Sequence, residues 1–131
     1  ERTFVWGQSL GAGVASRLAA SRPLAGAVLE GAFPSIAASA RLHYPFFVVP
    51  EALIMDRYPT AENAAKALSP VLVLQGGRDS IAPPRFGSVV FRAAREPKFF
   101  CLVPAAGHND ITPETKEVAK ALAEFRKTCL K

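Results

Sequence analysis

The sequence predicts an α/β fold: a parallel sheet of about four strands flanked by helices. Three observations carry that expectation. Short runs of β-branched, aromatic and leucine residues recur at Thr3–Trp6, Leu24–Glu30, Val71–Gln75 and Lys98–Val103. Each run gives way to a stretch at helical spacing, with Gly or Pro at the breaks, so strands and helices alternate along the chain. The run LAGAVLE is apolar nearly without interruption, the pattern of a strand covered on both faces, and VLVLQ is the clearest strand in the sequence.

In order, the first strand breaks at Gly7-Gln8-Ser9-Leu10-Gly11 into a helix from about Leu10 to Ala20, with Leu10, Val14 and Leu18 at helical spacing, and Pro23 stops it. The strand Leu24–Glu30 ends at Gly31-Ala32-Phe33-Pro34, and Ser35–Leu42 reads as a small exposed helix. His43–Tyr58 is oily but irregular, since Pro45 and Pro50 forbid one long helix. This segment is either a covering layer on the sheet or a short lid. Packing is the reading taken for most of it, with site lining by Phe46 or Phe47 and membrane contact as alternatives. Thr60 caps an expected helix Ala61–Leu68, and Pro70 resets the chain before Val71–Gln75. Gly76-Gly77 ends that strand, and Pro83-Pro84 opens a helix to about Glu96. After the strand Lys98–Val103, Pro113 starts an amphipathic helix with Val118, Ala121, Leu122 and Phe125 at core spacing.

The length of 131 residues suits one domain with a core of its own, and 50% hydrophobic with 21% charged residues is a globular balance. The net charge of +5 comes from scattered Lys and Arg, without a basic block or aromatic–basic interleaving, which argues against nucleic acid as a partner. Cys101 and Cys129 have no metal-ligand spacing. Reduced thiols in a cytosolic protein are the default reading, with a disulfide as the alternative. No signal-peptide pattern and no apolar run long enough to span a bilayer is read within these residues, and targeting signals are expected to lie, if anywhere, upstream of them. A cytoplasmic location is favoured, the compartment being otherwise unknown. The chain opens on Glu1-Arg2 and enters a core strand at once, so it is expected to be a piece of a longer polypeptide.

A strand that turns sharply into a helix at a serine, written G-x-S-x-G, is a nucleophile elbow. The turn is tight enough that side chains at Gly7 and Gly11 are expected to collide, and Ser9 is expected in a strained conformation. The following helix aims its N-terminus at the same point, which places the backbone N–H of Leu10 to hold a developing oxyanion. In open α/β sheets functional groups collect beyond the carboxyl ends of the strands. Three such loops here carry Ser9, Asp79 and His108. Ser9 is a poor nucleophile until a base removes its proton; His108 is of the right type, and Asp79 would orient and charge-balance the ring.

GQSLGAG, PVLVLQGGRDSIAPP and VPAAGHND, in that order, resemble the elbow, acid loop and histidine loop of the α/β-hydrolases, and they span the chain nearly end to end. The resemblance is to the C-terminal half of such a serine hydrolase, of the esterase and depalmitoylating thioesterase kind, with residues 1–131 running from elbow strand to last helix. It implies Ser9, Asp79 and His108 as catalytic residues, Leu10 N–H as half of the oxyanion hole, Gly7 and Gly11 as elbow glycines, and no cofactor or metal. The implied substrate is a small-molecule ester or acyl thioester. A serine peptidase of the same fold fits equally well.

Other residues have weaker readings. Glu30 is the rival acid, at a position some relatives use. Asp110 is expected to cap the last helix region, and His43 to be structural or exposed. Ser16, Ser80 and Ser88 lack an elbow context. The family's second oxyanion donor comes from a part that has no counterpart here, and the elbow strand is expected to lie at an open, apolar edge. A missing N-terminal segment, a partner chain or self-association along that strand would cover it. The rival to catalysis is therefore a non-catalytic module acting through that edge.

Overall fold

The computed structural model describes residues 3–47 and 50–131. Readings that rest on Glu1, Arg2, Val48 or Val49 lie outside the described residues.

Four parallel strands form one sheet in the order β1-β2-β3-β4: β1 Phe4–Gln8, β2 Gly26–Glu30, β3 Val71–Gly76 and β4 Lys98–Val103. The register pairs Gln8 with Glu30, Glu30 with Leu74, and Gly76 with Val103, so three strand ends and their loops finish along one rim. Between the strands run α1 Leu10–Ser21, α2 Ile36–His43, α3 Thr60–Ala65 and α4 Pro84–Ala93, and α5 Lys116–Cys129 follows β4.

The uniform apolar character of β2 and β3 is explained by helices on both faces. On one face Ala27, Leu29, Val71 and Val73 pack against alanines of α1 and α3 and against Val90 of α4. On the other, Val28, Leu72 and Leu74 meet Val118 and Phe125 of α5, together with Cys101 and Val103 of β4. Each branched side chain so buried contributes about 1.5–3 kcal/mol of transfer free energy, which pins the register. A third cluster, Phe33, Ala82 and Phe86 with Ile36, Leu42 and Tyr58 against it, lies at the loop end and joins the segment after β2 to the loop after β3.

Several elements differ from the sequence expectation for identifiable reasons. In α1 the buried stripe is Ala12, Ala15, Ser16 and Ala19, while Leu10, Val14 and Leu18 face outward. Thr60 does not cap α3; it is fully buried and its hydroxyl donates to the Tyr58 carbonyl at 3.3 Å. That helix stops at Ala65 rather than Leu68, because Leu68 N–H bonds Ala19 O and Arg95 N–H takes Ala64 O. The second of these bonds also turns the chain away after Ala93, three residues before the expected end of α4. Asp110 caps no helix: its carboxylate accepts the Gly107 N–H at 2.8 Å, and α5 begins only at Lys116.

The segment 43–58 is not a packed layer in its described part. Phe46 and Met55 are each 95% exposed, and Tyr44, Phe47 and Leu53 are exposed too, with a single 3-10 turn at Glu51–Leu53. Ile54 and Tyr58 are half-buried, Tyr58 held with φ 39° against Gly13 of α1. Cys101 and Cys129 are both free thiols, and burial pushes each above the usual thiol range. Among the described residues no helix is long and apolar enough to cross a membrane.

Candidate active site

β1 runs two residues further than its apolar run suggests, through Gly7 and Gln8, because both pair with β2. The chain then reverses at Ser9, whose φ of 54° and ψ of −117° lie where non-glycine residues are rare. Two bonds hold it there: Ser9 N–H donates to Glu30 O at 2.9 Å, and Ser9 O accepts Ala12 N–H at 3.0 Å. The glycines around it are not equivalent. A Cβ on Gly7 would overlap the carbonyl of Gly11, whereas a Cβ on Gly11 would meet nothing within 4 Å. The expected collision therefore applies to Gly7 and not to Gly11. Leu10 is the first residue of α1, so its N–H is one of those that no carbonyl of the helix can reach.

Asp79 follows the Gly76-Gly77 turn. A side chain at Gly77 would lie 2.5 Å from Pro104 O, so this crossing of the two loops needs glycine. The Asp79 carboxylate is buried and fully used. Oδ1 accepts the N–H groups of Ile81 at 2.9 Å and Ala82 at 2.7 Å, an Asx-type turn that fixes the loop. Oδ2 meets His108 Nδ1 at 2.7 Å. Gln75, buried in β3, braces the same loop by donating to Ala82 O at 2.9 Å.

His108 sits on the loop after β4, shaped by the Asp110–Gly107 bond. Its ring lies on Gly31, the residue after β2, which has φ +53° and no side chain. A Cβ there would come 3.1 Å from His108 Cε1 and 3.2 Å from Nδ1. From the elbow side, Gln8 donates its amide to His108 O at 3.3 Å and Asn109 Oδ1 at 3.4 Å. Ser9 and His108 thus both abut Glu30–Gly31, one through its backbone N–H and the other through its ring. With Asp79 ionised, Nδ1 carries the ring proton and Nε2 is left as the acceptor. Among the described residues Ser9 Oγ and His108 Nε2 make no hydrogen bond.

The rival acid, Glu30, is aimed elsewhere: its Oε2 accepts the Trp6 indole N–H at 2.8 Å. Burial pushes its carboxyl above the usual range, while the Trp6 bond and the positive charge available at His108 pull it back. His43 is exposed and donates to Ile81 O at 2.8 Å, a tie onto the acid loop. Ser16 is buried in α1, donating to Gly13 O and accepting from Asn63. Gln8, Gly31 and Gln75 were not singled out from the sequence. Gly31 could have been suspected from a glycine placed directly after a strand end, while Gln8 and Gln75 carry no sequence signal of their role.

No protein-family model matches the sequence. An uncharacterised protein of Mycobacterium tuberculosis is 43% identical over 109 residues, 83% of this chain and 38% of that protein. The human alpha/beta hydrolase domain-containing protein 17B is 28% identical over 111 residues, 85% of this chain and 37% of that protein. The chain therefore spans little more than a third of the curated relatives it matches. Among solved structures, the esterase domain of a Rhodothermus marinus protein superposes with a TM-score of 0.71 at 20% identity, covering 94% of this chain and 59% of that one. Four parallel strands in one sheet, flanked by helices, match that neighbour's fold. The chain has the α/β-hydrolase fold.

Proposed function

We propose that the chain carries the nucleophile, base and acid of a serine hydrolase that cleaves a carboxylic ester or thioester. The reading rests on one observation above all. The imidazole that contacts a buried, fully bonded Asp79 carboxylate at 2.7 Å lies on Gly31, the residue next to the Glu30 whose carbonyl anchors Ser9 N–H.

In this reading His108 Nε2 takes the Ser9 proton as Oγ bonds the substrate carbonyl carbon. Asp79 holds the ring by Nδ1 and balances the imidazolium. The negative charge reaching the carbonyl oxygen is met by Leu10 N–H at the positive end of α1. His108 then protonates the departing alkoxide or thiolate, leaving acyl-Ser9. Water, deprotonated by the same nitrogen, attacks the acyl carbon; the carbon–Oγ bond breaks and the proton returns to Ser9. No cofactor takes part. We assign the second oxyanion donor to a segment outside residues 1–131, which we read as the C-terminal part of the domain, and a lone Leu10 donor would cost on the order of 10²–10³ in rate.

An apolar acyl group suits the exposed Phe46, Phe47, Leu53 and Met55, which belong to the segment 43–58 that we read as a short lid. Support for an ester comes from the esterase domain that shares the fold. The thioester, depalmitoylase-like version and a cytoplasmic location remain part of the proposal. The test is hydrolysis of nitrophenyl esters and acyl thioesters of graded chain length by the full-length protein. Turnover that disappears in Ser9→Ala is expected. Turnover unaffected by that change, or confined to aminoacyl anilides, would overturn the ester assignment, the latter in favour of a peptidase.

A second reading has its own observation. β1 is the edge of the described sheet, with Phe4 and Trp6 exposed beside Leu122 and Phe125 on one face, and Leu10, Val14 and Leu18 exposed on the other. An apolar edge of this kind pairs with another strand. In that reading the chain is a docking module for a strand-bearing segment, and light scattering with and without upstream polypeptide tests it. A stable monomer of 131 residues that does not bind such a segment contradicts it.

A further inference from the structure

The chemistry proposed above leaves one buried charge unused. Glu30 ends β2 at 5% exposure, and its side chain and main chain both reach the nucleophile's strand. Oε2 accepts the Trp6 indole N–H, three residues before Ser9, and the Glu30 carbonyl accepts the Ser9 N–H itself. The next residue, Gly31, carries the ring of His108.

Trp6, Gln8 and Glu30 lie on the same face of the sheet, since Gln8 is the register partner of Glu30 and side chains alternate along a strand. The charge of His108 acts on the carboxylate and draws it toward ionisation. Asp79 is occupied at Nδ1 and in its own loop, and Asp110 is occupied at Gly107. Burial works against Glu30's charge. A glutamine could accept the same Trp6 hydrogen bond without any charge to desolvate, so the bond by itself does not account for a carboxylate here.

We propose that Glu30 is a positioning residue: through Trp6 it holds the elbow strand, and its charge stabilises the imidazolium that forms when His108 takes the Ser9 proton. It does not replace Asp79, because its oxygen is directed at the indole and not at the ring. The proposal rests on the serine-hydrolase reading, and it adds a group that the three-residue constellation lacks.

Two measurements on the full-length protein test it. The first needs no substrate: tryptophan fluorescence is followed against pH in the unaltered protein and in Glu30→Gln, with Trp6→Phe identifying the Trp6 signal. A transition above the ordinary glutamate range that Glu30→Gln abolishes is expected, and a transition that survives in Glu30→Gln overturns the pairing. The second is the pH profile of Ser9 labelling by a fluorophosphonate. Removing a unit charge that acts on the ring moves the acid limb down by roughly half to one pH unit and slows the plateau several-fold. Glu30→Asp, which keeps the charge, moves the limb back toward its original position. A limb and plateau unchanged in a folded Glu30→Gln protein overturn the positioning role while leaving the hydrolase reading intact. Absence of Ser9 labelling in the unaltered protein overturns the hydrolase reading itself.

Discussion

Gly31→Ala separates the fold of this chain from its site. The added methyl group costs twice. At φ +53° a non-glycine residue loses about 1–2 kcal/mol against glycine, whatever surrounds it. In addition the methyl would stand 3.1 Å from His108 Cε1, 3.2 Å from Nδ1 and 3.5 Å from Asp79 Oδ2. Ordinary carbon contact begins near 3.5–4.0 Å, so the ring must retreat by a few tenths of an ångström. A domain of this size has about 5–15 kcal/mol of stability, so the variant stays folded, with a Tm lower by about 3–8 °C. The site suffers more. If a misplacement of about 1 Å costs about 10²-fold, a shift of several tenths lowers reactivity roughly tenfold. The assay pairs thermal unfolding with the rate of Ser9 labelling by a fluorophosphonate. Labelling at the unaltered rate, in a variant that shows the stability loss, would refute the claim that the ring seated on Gly31 serves Ser9.

Other perturbations distinguish parts of the same account. Gly7→Ala drives a Cβ into the Gly11 carbonyl and should cost about 3 kcal/mol or more, whereas Gly11→Ala has open space and should be neutral or stabilising by up to about 1 kcal/mol; urea unfolding of the two variants reads the contrast directly. Asp79→Asn keeps an acceptor for the Ile81 and Ala82 N–H groups but offers His108 Nδ1 an amide in place of a carboxylate, so labelling should fall on the order of 10³–10⁴ with little loss of stability. Glu30 holds its proton more tightly in the folded chain than at its ordinary value of 4.5. Its contribution to stability is thus fully present below that pH and lost as pH rises through the raised folded value. Stability curves against pH should therefore show Glu30→Gln gaining on the unaltered protein toward neutrality; a constant difference across the range contradicts this.

The strands and the three loop residues were legible because each depends on local chemistry. VLVLQ is apolar whichever way it faces, and a serine between Gly7 and Gly11 marks the turn from strand to helix. What the sequence does not show is which of several local options tertiary packing selects. Leu10, Val14 and Leu18 have ideal helical spacing, yet the alanine stripe is buried, since a close approach of α1 to the sheet and α3 has room only for small side chains. Asp110 has the chemistry of a helix cap but is three residues from Gly107 and satisfies that N–H instead. The end of α3 is set by Ala19 and by Arg95, residues more than 25 positions away. Segment 43–58 has no period to read. Ser9, Asp79 and His108 could be named as candidates from the residues alone, whereas the contact of Gly31 with the His108 ring and the Glu30–Trp6 bond needed coordinates.

The account depends most on Ser9 being activated by His108. Peptide mapping by mass spectrometry of the full-length protein after reaction with a fluorophosphonate tests that dependence directly. The predicted result is one adduct on the peptide carrying Ser9, absent in Ser9→Ala and strongly reduced in His108→Ala. An adduct on another residue, or labelling of Ser9 at an equal rate without His108, would contradict it.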